Sequence, residues 1–129
     1  MGMPAARKGD QVTAIDTHLI QPPGPSSPVP VPHPFSGIID GGTVASVKIG
    51  GAEAATVDST ATNTPSHIPI GGSFVNPPSN KAAITTGSAS VTIGKKAAAR
   101  AGDTARTCND PVDLPVGTVV AAGTVTIGG

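Results

Sequence analysis

The chain has almost none of the bulky side chains from which most domains build a core. Its 129 residues include no Trp, no Tyr and only two Phe, Phe35 and Phe74. Ala, Val and Ile bury little area each, so a core made from them stabilises weakly at about 25 cal/mol per Å². The 17 glycines and 14 prolines approach the proportion typical of disorder, but only 12% of the residues are charged, fewer than disordered chains usually carry. We therefore predict one compact, turn-rich β domain over residues 1–129 that needs an additional source of stability.

Four side chains that bind soft or borderline metal ions stand singly along the chain. They are His18, His33, His67 and Cys108, and they are all of its histidines and cysteines. Three imidazoles and one thiolate complete a tetrahedral zinc shell with no open position, as in structural sites. Zn²⁺ is thus the predicted cofactor, and Fe²⁺ is the alternative because nitrogen and sulfur ligands do not exclude it. Structural zinc can contribute about 10–16 kcal/mol of apparent folding free energy in small peptides.

Three of these residues lie in or beside proline-rich segments. Residues 21–34 contain seven prolines and end beside His33, which excludes a helix or a central strand. The segment is read either as a flexible linker or as an ordered loop that presents His33. Residues 60–78 surround His67, and residues 108–115 follow Cys108. Prolines reduce the entropy that such loops lose on ordering, which suits them to hold ligands.

Aspartates and arginines near these segments have two readings each. Four aspartates are candidates to orient ligand imidazoles through hydrogen bonds: Asp10, Asp16, Asp103 and Asp110. For Asp10 and Asp103, which follow glycines, the capping of a turn is the favoured reading. Arg7 and Arg100 are read as solvated charges or as partners of these two turn aspartates.

Two internal repeats predict an all-β fold. Val-x-Ile-Gly recurs at residues 47–50, 91–94 and 125–128, each time as β-branched residues at period two stopped by glycine, which is a strand-then-turn pattern. Residues 5–10 (AARKGD) also match residues 98–103 (AARAGD). We expect short hairpins from three related units, packed around a common axis and joined by long proline-rich loops.

The segment Met3-Pro4-Ala5-Ala6-Arg7, followed by Gly9-Asp10 and later a histidine, resembles the PAAR-repeat family. The echo at residues 98–103 and the Val-x-Ile-Gly units extend the resemblance over essentially the whole chain. The resemblance implies a small cone of stacked β-hairpins with a metal near the vertex. By position, His18, His33, His67 and Cys108 match the family's metal ligands.

The resemblance also implies a function. Such a protein would be a structural spike tip and not an enzyme, capping and sharpening a trimeric β-helical spike of the valine-glycine-repeat type for membrane puncture. One copy per spike trimer is expected, in a type VI secretion system, an extracellular injection particle or a phage tail. Three isoleucines, one from each Val-x-Ile-Gly unit, are candidates for a pseudo-threefold surface facing the spike, or else simply fill the hairpin core: Ile49, Ile93 and Ile127.

Composition restricts the alternatives. Zero net charge without a basic run argues against nucleic acid as a partner. A lone cysteine forms no internal disulfide, and the first ten residues show no signal peptide, so we expect synthesis in the cytoplasm and delivery by the injection machine. Two other classes stay open. Cys108 beside Asn109 admits a Cys-His hydrolase, or a small metal-dependent one, although the chain is too small and poor in aromatics for a substrate pocket. A free-standing adhesin-like β module is the other.

Overall fold

The computed structural model describes residues 2–128, and within that range every regular element is a β-strand. The strands are β1 (Met3–Pro4), β2 (Gln11–Gln21), β3 (Val29–Gly41), β4 (Val44–Ile49), β5 (Ala52–Ala54), β6 (Thr60–Asn63), β7 (Ser73–Phe74), β8 (Lys81–Ile84), β9 (Thr92–Ile93), β10 (Lys96–Ala97), β11 (Thr104–Thr107), β12 (Leu114–Val120) and β13 (Thr126–Ile127). Between residues 2 and 128 no helix is long and apolar enough to cross a membrane.

Six of the strands form one closed antiparallel sheet. Its order is β2, β3, β6, β8, β11 and β12, and β12 returns to pair with β2. Strand β7 adds to the far end of β2. Three antiparallel pairs make up this sheet, namely β2–β3, β6–β8 and β11–β12. In each pair the first strand begins, and the second strand ends, at the same end of the closed sheet.

The closed sheet therefore has two different ends. We call the end where β2, β6 and β11 begin the basal end; it carries the two-stranded sheets β1–β13, β4–β5 and β9–β10. The opposite end, formed by residues 14–34, 64–80 and 107–116, is the apical end. The proline-rich segments fall there, and residues 29–34 of the first of them are part of strand β3, so that segment is ordered.

Small side chains fill the interior of the closed sheet. Side chains alternate between the two faces of a strand, and every second residue of β2 from Val12 onward is buried or half-buried. The core comprises mainly alanines and β-branched residues: Ala6, Val12, Phe35, Ile39, Ala55, Ala61, Ala82, Ile84, Ala99, Ala105, Cys108 and Val119. Because these side chains are short, six strands can close around a narrow core.

A cyclic set of backbone hydrogen bonds gives the basal end its pseudo-threefold symmetry. The N–H of Ala6 donates to Ala99 O (2.9 Å), that of Ala99 to Ala55 O (3.0 Å), and that of Ala55 to Ala6 O (3.0 Å). All three alanines are 1% exposed or less. The expected three related units are thus confirmed, and they meet at this ring.

The middle unit, residues 54–59 (AATVDS), is a repeat that the sequence comparison missed. Its Thr56 N donates to Ser59 Oγ at 2.9 Å, just as Arg7 N donates to Asp10 Oδ2 at 2.9 Å. Asp58 adopts a φ of 75°, in the left-handed region that Gly9 occupies in the first unit. The same turn is therefore built from Asp-Ser instead of Gly-Asp, which hid the repeat.

The turn aspartates behave as the capping reading predicts. Asp10 accepts from Arg7 N, and Asp103 accepts from Arg100 N at 2.7 Å. Arg100 also forms an ion pair with Asp103 at 3.1 Å, whereas the Arg7 guanidinium donates instead to the carbonyls of Ile49 and Gly50.

The three isoleucines of the Val-x-Ile-Gly units pack inside the basal end. Ile49 and Ile127 are 8% and 7% exposed, and Ile93 is half-buried against the same cluster, which also contains Ala5, Ala54 and Ala98. This placement matches their reading as hairpin core. The large apolar side chains that are exposed near them are Met3, Val120 and Val125.

We expect the turn caps to differ in strength. Asp103→Ala removes the carboxylate that accepts charge-assisted hydrogen bonds from the Arg100 guanidinium and a further hydrogen bond from the Arg100 backbone N–H. The substitution should lower the free energy of unfolding by about 2–3 kcal/mol. Ser59→Ala removes a neutral hydroxyl that accepts from Thr56 N and donates to Gly42 O, and should cost about 1–2 kcal/mol. Urea unfolding measures both; Asp40→Ala, at an exposed residue bonded to Thr62, is the control. Equal costs at residues 59 and 103 would contradict the expectation.

Candidate metal centre

All four predicted ligands lie at the apical end, and each of the three hairpins supplies at least one. His18 is on β2 and His33 is on β3. His67 belongs to the long connection between β6 and β8, and Cys108 directly follows β11. His18 and Cys108, which are 90 positions apart, thus meet because the three hairpins turn at the same end.

A buried group of four donor atoms forms the centre of this region. One atom each from Asp16, His18, His67 and Cys108 lies within 4.8 Å of all the others. Asp16 Oδ2 is 2.8 Å from His67 Nε2 and 3.4 Å from Cys108 Sγ, and Cys108 Sγ is 3.8 Å from His18 Nε2. The side chains of Asp16 and His67 are 0% and 2% exposed. The group, called here the donor group, is compact enough to bind a metal ion.

His33 lies beside the donor group without belonging to it. Its ring centroid is 5.5 Å from that of His18 and 5.6 Å from that of His67, and the latter two are 5.0 Å apart. Three imidazoles bound to one tetrahedral ion at Zn–N distances of about 2 Å have centroids about 5 Å apart. The spacing of the three rings is compatible with a shared tetrahedral metal ion.

Hydrogen bonds set the tautomer of His33. Its Nδ1 lies 2.9 Å from Val31 O, a carbonyl that can only accept, so Nδ1 carries the proton. The lone pair is then on Nε2, which accepts a long bond of 3.3 Å from Ile70 N. A neutral imidazole whose other nitrogen donates to a carbonyl is the usual state of a metal ligand.

His18 carries a buried nitrogen with no hydrogen-bond partner. Its Nδ1 lies 3.5 Å from Asp110 Oδ2, beyond the usual range of a hydrogen bond, and Asp110 already accepts from Leu19 N. A ligand imidazole that binds through Nε2 presents Nδ1–H to a carboxylate in this way. Asp110 is therefore the nearby carboxylate that could orient His18, which is the role that the sequence suggested for this aspartate.

Asp16 is the member of the donor group that sequence reasoning assigned only to an orienting role. Thr107 Oγ1 and Asn109 Nδ2 hold its other oxygen, Oδ1. Asn109 in turn accepts from Thr17 N at 2.7 Å, which fixes the loop after β11 onto β2. Asp16 precedes His18 by two residues on one strand, so period-two alternation places both on the same face and could have indicated it.

Burial favours the uncharged forms of two donors, the Cys108 thiol and the His18 imidazole, by shifting their pKa values. It raises the pKa of the Cys108 thiol to about 11, and the charge of Asp16 acts in the same direction. It also lowers the pKa of His18, with His67 adding to the effect and Asp110 and Asp16 opposing it. The thiol is thus protonated, and a metal ion must displace its proton on binding.

Zinc binding at pH 8 is expected to release about one proton per ion. At that pH ordinary imidazoles and carboxyls have already lost their protons, whereas the Cys108 thiol has not. Isothermal titration calorimetry in buffers of different ionisation enthalpy measures the release. Cys108→Ser should abolish most of it, and equal release from the variant would contradict the assignment.

The two phenylalanines of the chain enclose the centre. The Phe74 ring lies 5.7 Å from His18 and 5.5 Å from His33, and Phe35 lies 6.0 Å from His67. A cavity of about 380 Å³ also lies against His33 and His67, with Pro34, Pro65 and Ile70 among its walls. Aromatic rings and an apolar cavity therefore both border the histidines of the centre.

The roles of Asp16 and His33 can be separated by substitution. We expect His33→Ala to remove one nitrogen ligand and shift the visible absorption of the Co²⁺-substituted protein. Asp16→Asn should preserve that spectrum if Asp16 orients ligands from outside the shell, and change it if the carboxylate binds the ion. Retention of the wild-type spectrum in His33→Ala would exclude His33 as a ligand and assign the shell to the donor group.

A comparison with protein-family models and a comparison with curated proteins each found no match to this chain.

Proposed function

We propose that the protein is a metal-stabilised tip that caps the trimeric β-helical spike of a contractile injection machine. The cyclic hydrogen bonds among Ala6, Ala55 and Ala99 carry the proposal. They give a single chain an approximate threefold axis at one end, which is what a lone cap needs to fit the end of a threefold-symmetric partner. The one chain would occupy the site that three identical subunits create.

The metal centre supports a mechanical role at the opposite end. One ion held by His18, His67 and Cys108, with His33 or Asp16, would tie together the tips of all three hairpins. Hydrophobic burial is limited there, because many large apolar side chains of the apical end are exposed. Zn²⁺ suits these nitrogen, sulfur and oxygen donors and needs no redox chemistry; Fe²⁺ is the alternative.

The state of Cys108 argues against hydrolysis. The residue is 3% exposed, and burial raises the pKa of its thiol to about 11. A nucleophilic cysteine requires the opposite, a thiolate stabilised near neutral pH and open to substrate. The neighbouring Asn109 accepts from Thr17 N and donates to Thr107, so its amide serves loop packing.

Complex formation with a trimeric spike protein of the valine-glycine-repeat type tests the proposal. We expect one tip per trimer by native mass spectrometry. Val125→Asp, at an exposed basal residue, should weaken the complex at least tenfold, whereas Ile68→Asp, at an exposed apical residue, should leave it intact. Absence of a complex with every candidate trimer, or loss only with the apical variant, would overturn it.

A further inference from the structure

The surface of the apical end is almost free of charge. None of the eight Lys and Arg residues falls in residues 14–34, 64–80 or 107–116, and the nearest, Lys81 and Arg106, lie on the adjoining strands. The acidic residues of these segments are Asp16, Asp110 and Asp113. Asp16 is fully buried and the Asp110 side chain is 8% exposed, so Asp113 is the one exposed charge of the three segments.

The same surface is rich in exposed apolar side chains from all three hairpins. Ile68 and Val112 are the most exposed, at 73% and 63%. The full set comprises Ile15, Val29, Ile68, Ile70, Val75, Val112, Leu114 and Val116. Exposed apolar side chains gathered at one end of a small domain mark an interaction surface.

Backbone donors are also scarce at this end. Thirteen of the 14 prolines lie in the three apical segments, and proline has no N–H group. Three further N–H groups there are used internally: Leu19 N donates to Asp110, Val75 N to Leu19 O, and His67 N to Asn80. Moving this surface from water into an apolar phase would therefore leave fewer unsatisfied N–H groups, which together with unsatisfied carbonyls set the cost of such a transfer.

We propose that the apical surface binds lipid bilayers by inserting Ile68, Val112 and their apolar neighbours at the boundary between headgroups and acyl chains. Lipid is favoured over a protein partner by the near absence of charged groups and by the scarcity of backbone N–H groups, neither of which acyl chains could pair. The absence of Lys and Arg further implies binding to uncharged lipid, without attraction to anionic headgroups.

This lipid affinity is an equilibrium property of the isolated protein and does not require contraction force. For its biological setting it rests on the proposed function, where it would lower the cost of moving the tip into a target membrane. The surface itself is defined by burial, charge and donors alone, and its test uses no spike protein.

Flotation with vesicles of pure phosphatidylcholine tests the inference. We expect the zinc-loaded protein to float with the vesicles. Ile68→Asp and Val112→Asp should each reduce the partition coefficient about tenfold or more, because an aspartate at the apolar boundary is strongly disfavoured. Asp113→Asn should increase it. Val120→Asp and Val125→Asp, at basal residues that are 44% and 45% exposed, are the controls and should leave it unchanged.

Three results would overturn the inference: no binding to phosphatidylcholine, binding that requires anionic lipid, or equal losses in apical and basal variants. Sedimentation velocity supplies another outcome. If the wild type self-associates and Ile68→Asp makes it monomeric, the surface joins two copies of the chain and not a bilayer. Lipid binding without a spike complex would reject only the proposed function, and the reverse result would reject only the lipid surface.

Discussion

Removing the metal ion is expected to lower the free energy of unfolding by about 4 kcal/mol, comparing free zinc at a thousand times the dissociation constant with excess chelator. The ion would connect three hairpin tips at which many large apolar side chains are exposed, and the unfolded chain scatters the same donors over ninety residues. Because the chain has no Trp or Tyr, unfolding in urea is best followed by far-ultraviolet circular dichroism.

Two variants of the loop after β11 control this measurement. Cys108→Ala should abolish the zinc-dependent increase in stability, since it removes a donor. Val112→Ser lies in the same loop at an exposed position without a donor role and should retain it. If Cys108→Ala keeps the full zinc-dependent increase, the ion binds elsewhere and the proposed centre is wrong.

Replacing Phe35 by alanine is expected to cost about 3–5 kcal/mol of unfolding free energy. Phe35 is 2% exposed and is the largest of the fully buried side chains. Its neighbours include Ala61 and Gly37, which are too small to refill the space that the ring vacates. The loss should therefore approach the upper end for a phenyl group.

The measurement belongs in chelator, because Phe35 also contacts the His67 ring and could alter zinc binding. Ile15→Ala is the control: Ile15 is 60% exposed on the adjoining strand, and its truncation should change stability by about 0.5 kcal/mol or less. A cost for Phe35→Ala below about 1 kcal/mol would mean that the closed sheet collapses around the cavity.

Much of the fold could be predicted because its information is local. Val-x-Ile-Gly followed by a turn forms a hairpin at residues 47–50 and 91–94, whereas the third copy pairs with β1. The repeat at residues 5–10 and 98–103 indicated the symmetry. The middle unit is not recognisable from the sequence because Asp58 and Ser59 form there the turn that Gly-Asp forms in the other two units. The three units share the hydrogen bond of the turn, whereas a comparison of their sequences detects only shared residue types.

The sequence predicts which residues form the metal centre better than it predicts how they are arranged. Counting all histidines and cysteines identified His18, His67 and Cys108, since few side chains can bind zinc. The hydrogen bonds that set His33 beside this group do not follow from spacing along the chain, and the two-residue spacing of Asp16 and His18 indicates a shared face but not a place in the group. Both depend on which strands pair, and the pairing of Asp16 with His33 across β2 and β3 is a matter of register.

The ring formed by Ala6, Ala55 and Ala99 has a consequence for how the chain would sit on a trimer. The ring repeats one backbone hydrogen bond three times, so on the proposed trimer three seatings would be close in energy and mixing them would be worth about 0.6 kcal/mol. Side chains that differ among the units, Arg7, Thr56 and Arg100, are then what distinguishes one seating from another. A population of assembled particles would hold this cap in several rotational settings, and averaging over them would blur its loops while leaving the ring sharp.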